Sequence, residues 1–172
     1  QEFIIHTPFK SARKDYIGNA AADGKMATVF AQLQIGENEY GVHAILVSIR
    51  GENNQPLSGV SIEDCGEKLG LNGVDNGRLW FNRGRIPREN LLNQLADVAA
   101  DGTYTSPIEN PNKRFFSMLG TLIGGRVGVP SAGLSATKTG LAIAIKYANK
   151  RRQFGAENQL ETCLLDYRTH QR

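Results

Sequence analysis

The hydrophobic pattern of this chain changes period once, near Asp101-Gly102-Thr103-Tyr104. That change restricts the fold to a β part followed by a helical part. Before it, Phe3-Ile4-Ile5, Ala27 to Ile35, Tyr40 to Arg50 and Arg78 to Phe81 are rich in β-branched, aromatic and aliphatic residues. Turn signals such as Gly36-Glu37-Asn38 and Gly51-Glu52-Asn53-Asn54 separate them, so each reads as a strand. Tyr40 to Ile49 has too many consecutive apolar residues for a half-exposed strand and predicts burial on both faces. His43 lies inside that run and reads as a hydrogen-bonded sheet residue rather than a ligand or a base.

After the change, Asn110 suits a helix N-cap and Pro111 the first helical position. Apolar residues then recur at helical spacing through Phe115, Met118, Leu119, Leu122 and Ile123, and again at Leu134, Leu141 and Ile145. Pro130 lacks the N–H that would bond the Arg126 carbonyl, which predicts a kink or two helices meeting there. Lys150-Arg151-Arg152 suits a helix C-terminus, with Gly155 as terminator, and a further helix is expected from about Leu160 with Leu164-Leu165 buried.

Composition narrows the class. With 172 residues, 40% hydrophobic and 22% charged, the chain can build a sizeable core. The net charge of +3 fits a mixed solvated surface and gives no reason to expect nucleic acid; the cluster Lys146, Lys150, Arg151 and Arg152 fits either that surface or contacts to phosphates. No apolar run reaches the ~18 to 20 residues that span a bilayer, so no stable membrane anchor is expected. Cys65 and Cys163 lack metal spacing and make no disulfide framework, which suits a reduced compartment.

The run Leu69 to Asn93 is dense in glycine: Gly70, Gly73 and Gly77 precede Arg78-Leu79-Trp80-Phe81, and Pro87 fixes an extended exit before Leu91-Leu92. Such glycines allow positive φ or close approach of the backbone to a ligand. They do not follow the dinucleotide spacing, and Gly124-Gly125-Arg126 lacks the lysine and hydroxyl of a phosphate loop. Close helix packing is the expectation for Gly124, Gly125 and Gly128. Glu63-Asp64, Glu89, Asp97 and Asp101 read as turn and surface residues, no nucleophile–base pair is evident, and three scattered histidines make no metal site.

Several of these stretches together resemble the acyl-CoA oxidases. They are Tyr16-Ile17-Gly18-Asn19-Ala20-Ala21 with Gly24 to Ala31, Gly41-Val42-His43-Ala44 and Asn72 to Gly77, followed by Ile86 to Asn90 and Arg151-Arg152-Gln153-Phe154-Gly155. The resemblance covers essentially the whole chain and is nearest to the plant-type long-chain branch. It implies a β + α fold of the acyl-CoA dehydrogenase-like kind. Residues 1–100 would be the central β-barrel domain with its N-terminal edge cut, and 101–172 the first helices of the C-terminal helical domain. It also implies FAD, a fatty acyl-CoA substrate, O2 as acceptor, a homodimer built through the helical domain and, in a eukaryote, a peroxisomal location.

The same resemblance implies roles for single residues. Gly18 would contact the flavin, with Tyr16 standing where related dehydrogenases have tryptophan; its planar ring can stack near the isoalloxazine. A missing side chain at Gly18 would leave room for oxygen. Arg151, Gln153 and Phe154 would meet the adenine-pyrophosphate part of FAD across the dimer. Arg126 would bind acyl-CoA through charge-assisted bonds, and Asn76 and Gly77 would lie near the thioester. The glutamate that removes the α-proton is expected beyond Arg172, because Gly125 stands where some dehydrogenases place it; no catalytic residue is assigned within the chain. The chain opens on Gln1 and closes on His170-Gln171-Arg172, without a peroxisomal tripeptide, so a piece of a longer protein is expected. An acyl-CoA dehydrogenase using a protein acceptor, and a non-catalytic truncated product, are the competing readings.

Overall fold

A computed structural model describes residues 1–171. It divides into two compact units, Gln1–Met118 and a second beginning at Leu119.

The first unit holds nine strands: β1 (Glu2–Ile5), β2 (Lys14–Gly18), β3 (Met26–Ile35), β4 (Asn38–Ser48), β5 (Val60–Asp64), β6 (Asn76–Phe81), β7 (Gly84–Pro87), β8 (Asp97–Val98) and β9 (Tyr104–Thr105). They form four antiparallel ladders, β1–β7, β2–β6–β5, β3–β4 and β8–β9. Among the described residues these ladders do not join into one closed ring of hydrogen-bonded strands. They share a core instead. Ile5, Val29, Leu33, Ile45, Val47, Leu79, Phe81, Ile86 and Val98 supply it from all four. On β6 the buried residues alternate, Gly77, Leu79 and Phe81, as a strand covered on one face requires. On β4, His43, Ala44 and Ile45 are buried in succession, which bears out the reading of a strand covered on both faces. His43 is 2% exposed; its Nδ1–H donates to the Gly41 carbonyl at 2.9 Å, and its Nε2 accepts from the Tyr104 hydroxyl at 3.0 Å. It is a satisfied sheet residue.

Helix α1 (Pro111–Leu119) begins as the sequence predicts. Asn110 Oδ1 accepts the N–H groups of Asn112 and Lys113 at 2.9 and 3.1 Å. Arg114, buried on its inner side, donates to the carbonyls of Ile108 and Tyr40.

In the second unit, helix α2 (Ile123–Ala148) runs through Pro130. Two helices do not meet at the proline; the α-helical run is interrupted at Gly120–Leu122, which tightens into a 3-10 turn. One proline removes a single backbone bond from a 26-residue helix, and the remaining bonds keep the run continuous. The helix also ends earlier than expected, at Ala148. Lys150 and Arg151 follow it, their N–H groups capping the Tyr147 carbonyl at 2.9 and 2.8 Å, so Gly155 lies well past the terminus. No helix starts at Leu160. The chain returns on itself there, Gln153 N–H bonding Thr162 O and Thr162 N–H bonding Phe154 O, with short 3-10 turns at Leu164–Asp166 and Arg168–His170. Pairing across this return satisfies the backbone groups that a helix would have used. Leu164 and Leu165 are half-buried.

Apolar residues surround α2 rather than lining one face, and Val127, Val129, Leu134, Leu141 and Ile143 are exposed in this single chain. Gly124, Gly125 and Gly128 have no atom within reach of an added Cβ, so the close packing expected there has no partner among the described residues.

Candidate functional site

Four of the residues singled out from sequence meet on two paired strands. β2 and β6 are antiparallel, with Gly18 opposite Asn76 and Ile17 opposite Gly77. The register slips between Lys14 and Ile17, and Tyr16 sits in that irregularity with φ +58°. A bulky side chain in the left-handed region is uncommon and stores strain. The bulge turns the Tyr16 ring outward, 67% exposed, and Asn76 Nδ2 donates to the Tyr16 carbonyl at 3.4 Å. Lys68 Nζ donates to Asn76 Oδ1 at 2.5 Å and holds that amide in place.

The glycines of this region have different causes. A Cβ on Gly77 would stand 2.7 Å from Ala21 N and 2.8 Å from Ala20 C, so only glycine lets the loop after β2 cross β6 this closely. Gly70 and Gly73 have neither positive φ nor a near neighbour; the positive φ of that loop belongs to Leu71. Gly18 likewise has open space where its Cβ would be, and its φ is ordinary. Nothing in the chain's own packing demands glycine at Gly18, which leaves a smooth, accessible backbone edge beside an exposed aromatic ring.

Two residues that sequence reasoning passed over hold the loop that follows. Arg50, 8% exposed, donates from Nη1 to the carbonyls of Ala20 and Gly24, both at 2.9 Å, and from Nη2 to Ala21 O at 2.7 Å. From the other side the Asp75 carboxylate accepts the N–H groups of Ala21 and Ala22 at 2.9 and 3.1 Å. A charge closing an otherwise apolar strand was the signal for Arg50; Asp75 lay inside the quoted Asn72 to Gly77 loop without a role.

In the second unit, Arg126 lies in the first turn of α2 and is exposed. Arg151, Gln153 and Phe154 follow the helix end on the strand-like return: Leu164 N–H bonds Arg151 O at 2.9 Å, and the Tyr167 hydroxyl donates to Gln153 O at 2.8 Å. Phe154 has φ +60° and an outward ring, before Gly155. Arg151 and Arg152 are both exposed; Arg152 Nη1 donates to Glu161 O at 2.9 Å across the return. A cleft of about 340 Å³ beside β5 and β6 is lined by Thr7, Phe9, Lys10, Arg13, Glu63 and Trp80, and by none of the expected site residues.

Comparison with known proteins gives these arrangements a family. The family model described as "Acyl-CoA oxidase, C-alpha1 domain" matches residues 119–172. The peroxisomal acyl-coenzyme A oxidase 2 of Arabidopsis thaliana is 51% identical over 177 aligned residues, covering 99% of this chain. The chain belongs to the acyl-CoA oxidase family. It spans 26% of the length of that Arabidopsis relative. Acyl-CoA oxidase 3 of Yarrowia lipolytica has the same fold over 99% of this chain and 24% of its own, with a TM-score of 0.83 at 36% identity. Acyl-CoA oxidase-2 of Caenorhabditis elegans, solved with FAD, ascaroside-CoA and ATP, matches 98% of this chain and 25% of its own, with a TM-score of 0.78 at 37% identity. The acyl-CoA oxidase fold thus takes a mixed β and helical form here.

Proposed function

We propose that this chain is the flavin-facing part of an FAD-dependent acyl-CoA oxidase, which converts a fatty acyl-CoA to the trans-2-enoyl-CoA while O2 becomes H2O2, the first step of peroxisomal fatty-acid β-oxidation. One observation carries the proposal: the exposed Tyr16 ring beside the open, side-chain-free edge at Gly18, on strands paired with Asn76 and Gly77. A side-chain-free edge beside an aromatic ring suits a flavin ring, and a relative of the same fold was solved with FAD bound. Bound flavin supplies the hydride acceptor of the reaction.

The chain's own residues then have distinct tasks. Tyr16 stacks near the ring system, and Gly18 lets it approach the backbone and leaves space for oxygen. Asn76, steadied by Lys68, and Gly77 border the thioester. Arg126, with its planar fork of donors, binds acyl-CoA oxygens. Arg151, Gln153 and Phe154 meet the adenine-pyrophosphate half of FAD across a homodimer. An α2 helix that is apolar on all sides supports burial within a larger helical assembly. In this reading residues 1–100 are the central β-barrel domain and 101–172 open the C-terminal helical domain; the shared core of the four ladders supports the first assignment. The glutamate base is supplied from outside these residues.

The test is H2O2 release by the full-length protein with palmitoyl-CoA. Activity with an artificial electron acceptor but none with O2 assigns a dehydrogenase instead. A full-length protein that binds no flavin defeats the proposal.

A further inference from the structure

The loop Asn19–Gly24 contains no side chain larger than those of Asn19 and Asp23, and three of its six residues are alanine. It has little apolar surface with which to fix its own shape. Yet its backbone is bonded from outside nearly residue by residue. Arg50 takes the carbonyls of Ala20, Ala21 and Gly24, and Asp75 takes the N–H groups of Ala21 and Ala22. Asn54 Nδ2 donates to Ala22 O at 3.1 Å, and Asn19 N–H bonds the Asp75 carbonyl at 3.0 Å. Gly77 lets the loop descend onto β6, and Ala20 is buried there. The loop leaves directly from Gly18, and the segment before it holds Tyr16 in an unfavourable backbone conformation. Such a conformation persists only where its surroundings over-determine it.

We propose that Arg50 and Asp75 are positioning residues for the flavin: an oppositely charged pair that grips the Asn19–Gly24 backbone from two sides and so fixes the Tyr16–Gly18 edge against which the ring lies. The inference rests on the flavin reading of that edge. Neither residue touches the cofactor. They act through the loop, as supporting groups around a bound ligand commonly do. Arg50 suits the task because a guanidinium presents several donors in one plane, enough for three carbonyls at once, which an ammonium on a flexible stem does not reproduce.

The experiment uses the full-length protein with Arg50→Met, Arg50→Lys, Asp75→Asn, Gly18→Val and, as control, Arg114→Lys. The control removes another buried arginine that bonds carbonyls, away from this loop. Unfolding midpoint, FAD dissociation constant and the visible circular dichroism of the bound flavin are measured for each. Arg50→Met and Asp75→Asn are expected to weaken FAD binding about tenfold, or about 1.4 kcal/mol, and to change the dichroic band. Arg50→Lys recovers part of both, and Arg114→Lys loses stability with unchanged flavin affinity and band. The proposal is overturned if the Arg50 and Asp75 variants hold flavin as the parent does, or lose it only as far as the control does at equal loss of stability. If Gly18→Val weakens binding while those variants do not, the positioning role alone fails. If Gly18→Val also leaves binding unchanged, the flavin reading fails with it.

Discussion

Replacing Gly77 by alanine should cost far more than the same change at Gly73, four residues earlier in the same glycine-rich run. At Gly77 the new methyl would sit 2.7 Å from Ala21 N, 2.8 Å from Ala20 C and 2.9 Å from Ala20 Cβ. Two of these three are backbone atoms, so no side-chain rotation relieves the overlap. The loop has little freedom to withdraw, because Arg50 and Asp75 bond it from both sides and Ala20 is 2% exposed. Overpacking a well-filled site costs about 1–3 kcal/mol, and a pinned backbone places this case in the upper half of that range. At Gly73 a Cβ meets nothing within 4 Å and φ is ordinary, so alanine should be neutral or stabilise by up to about 1 kcal/mol by restricting the unfolded chain. Urea unfolding of the two full-length variants, followed by tryptophan fluorescence and by flavin release, measures both. Equal stability of the two variants, or a Gly77→Ala protein as stable as its parent, would refute the close-approach reasoning.

Burial pushes the His43 imidazole below its ordinary value of 6.5, with Arg114 lowering it further against the raising effect of the Gly41 bond. The folded state therefore holds this histidine neutral while the unfolded state protonates it, so its contribution to stability is full above pH 6.5 and declines as pH falls below that. Unfolding midpoints across this range should fall less steeply for His43→Gln than for the parent; parallel slopes would count against it. Asn110→Ala removes the acceptor for two N–H groups at the start of α1 and should destabilise by about 1 kcal/mol, within the 0.5–2 found for such caps, with Asn110→Asp nearly neutral in the same urea titration. Gly18→Thr fills the open edge and should slow reoxidation of the reduced enzyme by O2 in stopped flow; an unchanged rate would remove oxygen access as the reason for glycine there.

Local patterns were legible without the fold. The strands Phe3–Ile5, Ala27–Ile35, Tyr40–Arg50 and Arg78–Phe81 were readable because alternation and turn residues act over a few positions, and the Asn110 cap because it bonds its own second and third neighbours. The short strands β2, β5 and β7 were not. β2 and β7 have one β-branched residue each and β5 has two, and pairing with β6 or β1 makes these four- and five-residue segments strands. The strand-like return after α2 escaped for the same reason: Arg152 pairs with Cys163 across a turn that needs positive φ at Asn158.

The sequence by itself determined the order of β and helical parts, the N-cap of α1 and, through its motifs, membership of the acyl-CoA oxidase family. Only the tertiary structure decided which glycine of the run is sterically required, that α2 passes through Pro130, and that Arg50 and Asp75 grip one loop. The reason is separation along the chain. Arg50 reaches Ala20 across thirty residues and Asp75 reaches Ala21 across fifty-four. A periodic pattern reports which face of a segment is buried, but it holds no record of which distant backbone that face will meet.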